Sequence, residues 1–319
     1  MRCTQSRLKL WRKCHRAHWY KWILKIQRRW PSRPLLTGQL LHKMIDYLAK
    51  GKDPYAVLAE YKKKYKKLFI EEAEIYQNTL EEGERIFKGY MNHWEDDGVE
   101  FVDSEVELKI ELVEGVEFVV HIDKVAQEKG MLWLWDHKTH KNLPTAEQRL
   151  SDLQLVLYFW VWNKLHTGKR RVSGIVWDYL RTKTPTIPQL LKNGTLSRRD
   201  IITDHATYLA TIREHNLDPD QYRDVLDELA KQKSPFYDRV PLPAPDKNLI
   251  ESVVNDTIDT AIEIRGLGEI LKDRNLTYMC PSCEFYEICH ADLRGLDINF
   301  IMKTRYEEAE PYGSEESDD

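Results

Sequence analysis

The sequence predicts a mixed α/β protein. Three observations carry that reading: helical patterning over residues 5–94, strict alternation between residues 105 and 138, and a return to helix and strand patterns afterwards. The alternating part is the most informative. Residues 105–112 read EVELKIEL, a strand, and Gly115 marks the turn that follows. Val116, Phe118, Val120 and Ile122 then share one face, with Glu117, Val119, His121 and Asp123 on the other, as in a half-buried strand. Residues 127–130 read as a turn in which Gly130 is free to take positive φ. The next strand, from Met131, is apolar until Asp136-His137-Lys138. The expected unit is a three-stranded antiparallel meander.

Residues two apart on a strand share a face, so Asp136 and Lys138 project together. Pairing through the turn brings Asp123 to the same end. Two carboxylates are hard ligands for Mg²⁺ or Mn²⁺, and a neighbouring ammonium can orient water or stabilise an anionic transition state. That set suits metal-dependent phosphodiester cleavage. Taken alone, Asp-x-Lys is a short string that a surface hairpin with scattered charges also satisfies.

Before the meander, residues 5–29 read as one helix that interleaves cations with Trp11, Trp19, Tyr20 and Trp22. No acidic residue occurs before Asp46, so the net charge of −4 hides a strongly basic end. Contact with nucleic acid is therefore the favoured role of this helix, over tryptophans packed in a core. Pro31 and Pro34 interrupt it. A second helix is expected from Thr37 as N-cap, carrying His42, and helices continue to Trp94. The lysine-rich residues 61–67 form a solvated or phosphate-facing patch. With no apolar run of bilayer length and no apolar signal core, an intracellular, cytoplasmic protein is expected.

After the meander, Pro144 and Thr145 open a helix, with Gln148 as capping-box partner and Gln154 and Tyr158 four apart on one face. Residues 172–180 read as a strand. Residues 185–245 read as a helical insertion ending in the proline-rich SPFYDRVPLPAP, and residues 246–271 as a helix leading to the cysteines. The acidic residues 307–319 are expected to be a disordered tail.

Cys280, Cys283 and Cys289 form a CxxC with a third cysteine six residues on, the spacing of a metal site. Thiolates select zinc or an iron–sulfur cluster. Cys14, inside the first helix, is favoured as the fourth ligand over Cys3 near the terminus. Such a site would clip the two ends of the chain together.

Together these motifs resemble the RecB-like branch of the PD-(D/E)XK nuclease superfamily, most closely its Cas4-like iron–sulfur exonucleases. The likeness runs from Cys14, in SRLKLWRKCHRAHWY, to Cys289, through Gly38 and His42 as GxxxH, Asp123 in VHIDKV, Asp136 and Lys138 as DxK, and Gln154 and Tyr158 as QxxxY. Val120, His121 and His140 depart from the usual pattern around these motifs.

The resemblance implies a restriction-endonuclease-like core, a central mixed β-sheet flanked by helices, within a single domain over residues 1–306. The cysteine module would close onto the N-terminal helix. His42, Asp123, Asp136 and the backbone carbonyl of His137 would bind Mg²⁺ or Mn²⁺. Lys138 would position water, and Gln154 and Tyr158 would support the site. Cys14, Cys280, Cys283 and Cys289 would hold a [4Fe–4S] cluster, with zinc as the alternative occupant. The implied activity is a DNA exonuclease acting on single-stranded ends in repair, recombination or phage DNA processing. Partners by the same likeness are DNA, a second copy, or recombination or adaptation proteins. A non-catalytic DNA-binding or adaptor protein of the same fold is the other reading.

Overall fold

The computed structural model describes all residues except 67–69, 96–97, 151, 199–201, 233 and 312–319. Its centre is a six-stranded mixed sheet in the order β1-β4-β5-β6-β7, with β3 paired to β4. The strands are β1 (Arg2–Thr4), β3 (Glu100–Val113), β4 (Val116–Glu128), β5 (Met131–His140), β6 (Gly174–Arg181) and β7 (Tyr237–Pro243). β1 runs parallel to β4 and β5 parallel to β6; β3–β4, β4–β5 and β6–β7 are antiparallel. The expected meander is β3–β4–β5. Its second turn is tighter than residues 127–130: Glu128 pairs with Met131, and Lys129 and Gly130 both have positive φ, 50° and 78°. A two-residue turn of this kind matches the right-handed twist of the strands it joins.

Helices cover both faces. α1 (Gln5–Lys13), α7 (Gln154–Leu165) and α10 (Lys247–Leu267) pack one core around Trp11, Phe118, Leu155, Trp177 and Ile264. α3 (Arg33–Ala49), α4 (Pro54–Tyr65) and α5 (Ile70–His93) pack the other around Leu40, Met44, Phe87, Tyr90 and Leu180. Two helices between β6 and β7, α8 (His205–Glu214) and α9 (Arg223–Lys231), close a small core of their own with Leu196, Tyr208, Ile212 and Tyr222.

Several local expectations are corrected. The first helix is not continuous over residues 5–29. Cys14 takes an extended backbone (φ −169°, ψ 117°), followed by a short α2 (His15–His18), a π-helical turn (Trp19–Ile23) and a strand β2 (Ile26–Arg28). α3 begins after Ser32 with Pro34 in its first turn, and Thr37 lies inside it, its hydroxyl donating to the Arg33 carbonyl at 3.0 Å. Gln154 and Tyr158 stand on α7 rather than on α6 (Ala146–Leu150), which the Thr145–Gln148 capping box opens as expected. The proline-rich end of the expected insertion contains β7, the edge of the sheet beside β6. Residues 306–308, which overlap the expected tail, form β8 (Tyr306–Glu308) against β2; residues 312–319 lie outside the described residues.

The basic N-terminal segment also behaves differently. Trp11, Tyr20 and Trp22 are buried, so their faces belong to the core and not to unpaired bases. The cations turn to the chain itself: Lys9 to Asp152 (2.8 Å), Arg12 to Thr260 Oγ1 (2.7 Å), Arg16 to Asp292 (3.6 Å), Lys21 to Glu284 (3.0 Å) and Lys25 to Glu310 (2.6 Å). Part of the charge asymmetry of the sequence is thus matched internally, where Arg16, Lys21 and Lys25 meet Asp292, Glu284 and Glu310. The base-stacking role expected of Trp11, Tyr20 and Trp22 is corrected by their burial.

Candidate active site and cysteine cavity

The site arises where two strands part. β4 and β5 pair from Glu128↔Met131 to Lys124↔Trp135 and then separate. Across the opening the His137 backbone N–H donates to Asp123 Oδ2 at 2.7 Å, a side chain replacing the backbone acceptor that the neighbouring strand no longer supplies. α3 reaches the same place because Gly38 lets it approach: a Cβ there would stand 3.3 Å from Thr139 Oγ1 on β5. One turn further along α3, His42 Nδ1 lies 3.4 Å from Asp123 Oδ2.

A residue not singled out by its sequence completes this group. In β3, Glu105 (φ 51°) sits between the pairs Ser104↔Lys124 and Val106↔Ile122, and so opposite Asp123. Ligand atoms of His42, Glu105 and Asp123 all lie within 4.8 Å of one another. Counting back from the Val113↔Val116 pair puts Val106 level with Asp123; the register shift between Glu111 and Val113 is what brings Glu105 there instead.

Asp136 stands next to this group and is held by other partners. Its Oδ2 lies 2.6 Å from Lys138 Nζ, and its Oδ1 accepts from Gln154 Nε2 at 3.3 Å. Gln154 Nε2 also donates to the Tyr158 hydroxyl (2.6 Å), and its Oε1 accepts from Lys138 (3.4 Å). His140 packs edge-on against Tyr179 and lines a cleft with Lys138 and Lys141. The His137 side chain lies on the face opposite Asp136 and Lys138, 3.0 Å from Asp178 and edge-on to the His42 ring with centroids 5.9 Å apart.

The electrostatics describe an excess of negative charge. Burial, with Asp123 adding to it, raises the pKa of Asp136 against the pull of Lys138. Burial and then Asp123 push Glu105 up to about 7, because its carboxyl faces the site although the residue as a whole is exposed. Burial opposes ionisation of Asp123, but His42, His137 and Lys138 hold its pKa below the usual carboxylate range. His42 is raised: burial disfavours its charge, and Asp123 and Asp136 outweigh that. Oxygen donors with one imidazole, in a pocket of surplus negative charge, fit a hard divalent cation such as Mg²⁺ or Mn²⁺.

Cys14, Cys280, Cys283 and Cys289 line a separate cavity of about 210 Å³, together with Tyr20 and Phe285. Cys3 does not line it; it is buried in β1 rather than lying at a loose terminus. Burial raises the pKa of the Cys283 and Cys289 thiols. The cavity has the donor chemistry of a thiolate metal site.

The sequence profile of the PD-(D/E)XK nuclease superfamily matches residues 2–290, and the chain belongs to that superfamily. Among solved structures it is similar to a candidate exonuclease from Eubacterium rectale, at 14% identity over 80% of this chain and 76% of that one, with a TM-score of 0.42. It is also similar to the protein SSO0001, at 14% identity over 81% of this chain and 95% of that one, with a TM-score of 0.33. No curated protein matches significantly. No helix among the described residues is long and apolar enough to cross a membrane.

Proposed function

We propose that this chain is a metal-dependent DNA exonuclease that hydrolyses phosphodiester bonds at strand ends, single-stranded ends first. One observation carries the reading: His42, Glu105 and Asp123 gather donors within 4.8 Å of one another, beside a lysine 2.6 Å from the carboxylate of Asp136. His42, Glu105, Asp123 and Asp136, with the His137 carbonyl, would hold Mg²⁺ or Mn²⁺. When bound, such an ion lowers the pKa of water and screens phosphate charge. Lys138 would orient the attacking water and stabilise the pentavalent phosphate, while Gln154, anchored on Tyr158, keeps Asp136 and Lys138 in register.

The cysteine cavity is assigned to a [4Fe–4S] cluster that braces the two ends of the chain. What supports a thiolate-bound group there is that all four cysteines line one cavity, and the resemblance to iron–sulfur nucleases favours the cluster over zinc. The reading takes residues 1–306 as one nuclease domain. Its helical excursion is confined to the segment between β6 and β7.

The test is degradation of 5′- and 3′-labelled single- and double-stranded DNA with Mg²⁺ or Mn²⁺, by wild type, Asp136→Ala and Lys138→Ala. Wild-type cleavage that both substitutions abolish is the expected result. Equal cleavage by all three would remove these residues from the centre. Tight, salt-sensitive binding without cleavage would move the protein to the non-catalytic class.

A further inference from the structure

Beneath the DxK strand lies a buried polar row that the proposed chemistry does not use. Strand register sets it: His137 on β5 pairs with Asp178 on β6, and Asp178 with Arg239 on β7. The three alternate to the face opposite Asp136 and Lys138. His137 Nδ1 lies 3.0 Å from Asp178 Oδ2, and Arg239 Nε donates to Asp178 Oδ1 at 3.4 Å. Tyr90, from α5, donates to Asp178 Oδ2 at 2.6 Å and accepts from Arg239 Nη2 at 3.1 Å. The Arg239 guanidinium stacks 3.8 Å from the Trp94 ring and 4.8 Å from that of Trp135. Asp178 is fully buried and His137 is 2% exposed.

A buried carboxylate is costly unless several donors satisfy it, so these four side chains hold one another in a single arrangement. What they hold matters because of where β5 stands. Past Trp135 the strand has lost β4 on one side, yet here its 137 amide must meet Asp123 and its flanking side chains must face the site.

We infer that His137 is a positioning residue: gripped by the Asp178–Tyr90–Arg239 set, its side chain fixes the 136–138 peptides so that Asp123 and Asp136 converge on one cation. β7, which reads in the sequence as the end of an insertion, then belongs to the catalytic scaffold through Arg239. The inference rests on the metal-dependent reading above.

The experiment measures Mn²⁺ binding by calorimetry on full-length wild type, His137→Leu, Asp178→Asn and Tyr90→Phe, with melting temperature and the Mn²⁺ dependence of DNA cleavage alongside. The expected result is Mn²⁺ affinity about 10- to 100-fold weaker in His137→Leu and Asp178→Asn, as for other groups that orient metal ligands, and a smaller loss in Tyr90→Phe. Cleavage by the variants should recover towards the wild-type rate as Mn²⁺ is raised. If His137→Leu and Asp178→Asn do not fold, Tyr90→Phe, which deletes one hydroxyl, carries the test on the same readout. Folded variants with wild-type Mn²⁺ affinity would overturn the inference and leave the nuclease reading standing. A wild type that neither binds Mn²⁺ nor cuts DNA would remove both.

Discussion

The wedge between β4 and β5 and the cysteine cavity are both candidate metal sites, and they are built in opposite ways. The wedge is assembled by the sheet: register places Glu105 opposite Asp123, and α3 and α7 deliver His42 and Gln154 to fixed places. Its donors already stand within reach of a common ion. The cavity is assembled by short pieces, an extended residue at Cys14 and the turn and helix that carry Cys280, Cys283 and Cys289, with no strand pairing among them. Its cysteines line an apolar hollow. A site set by a sheet can exist before its ion arrives; one set by loops depends on the bound group for its final shape. On the proposed reading, chemistry and bracing are thus separable in this molecule.

The comparison breaks if damage to one region spreads to the other. Asp123→Asn and Lys138→Ala should each lower metal-dependent cleavage by about 10²-fold or more, while leaving melting temperature and visible absorption near wild type. Cleavage assays beside absorption spectra and thermal melts decide this. A second expectation reverses the pattern: Cys280→Ser with Cys283→Ser should abolish the broad band near roughly 400 nm of anaerobically purified protein. The same change should lower the melting temperature by about 5 °C or more. Retention of both would leave the cavity without a cluster.

Glu105→Gln sharpens the wedge. Loss of one donor should weaken Mn²⁺ binding about tenfold, measured by calorimetry, with little change in the melt. The smallest effect is on pH dependence. The Glu105 carboxyl is raised from 4.5 to about 7, so in the absence of metal the folded chain holds a proton that the unfolded chain has released. Stability of EDTA-treated protein should therefore fall as pH rises across that interval, because the native state binds more protons than the unfolded one. The slope should flatten in Glu105→Gln and in wild type with excess Mn²⁺. Melts between pH 4.5 and 7 give the answer.

Much of the wedge was legible because its residues sit in regular elements. Alternation gave the meander; the two-residue spacing of Asp136 and Lys138 and the four-residue spacing of Gln154 and Tyr158 follow from strand and helix geometry. Glu105 was hidden among alternating acids, where only register distinguishes it from Glu107 or Glu111. β1 is three residues long and carries too little pattern to read. In β7 the prolines outweighed the alternation around them. The partners of the N-terminal cations were not legible because sequence shows a charge and not its partner: Glu284 and Asp292 lie more than 260 residues downstream of Lys21 and Arg16.

Those same prolines have a bearing on self-association. Pro241 and Pro243 pair with Val176 and Gly174, so their nitrogens, which carry no hydrogen, face away from β6. On the same outer side the Tyr237 amide is already engaged by the Ser234 hydroxyl at 3.3 Å. A strand arriving from another molecule would find few donors to zip onto, so the sheet terminates here instead of growing into a ribbon. Copies of this nuclease that do gather will not do so by adding a strand to β7.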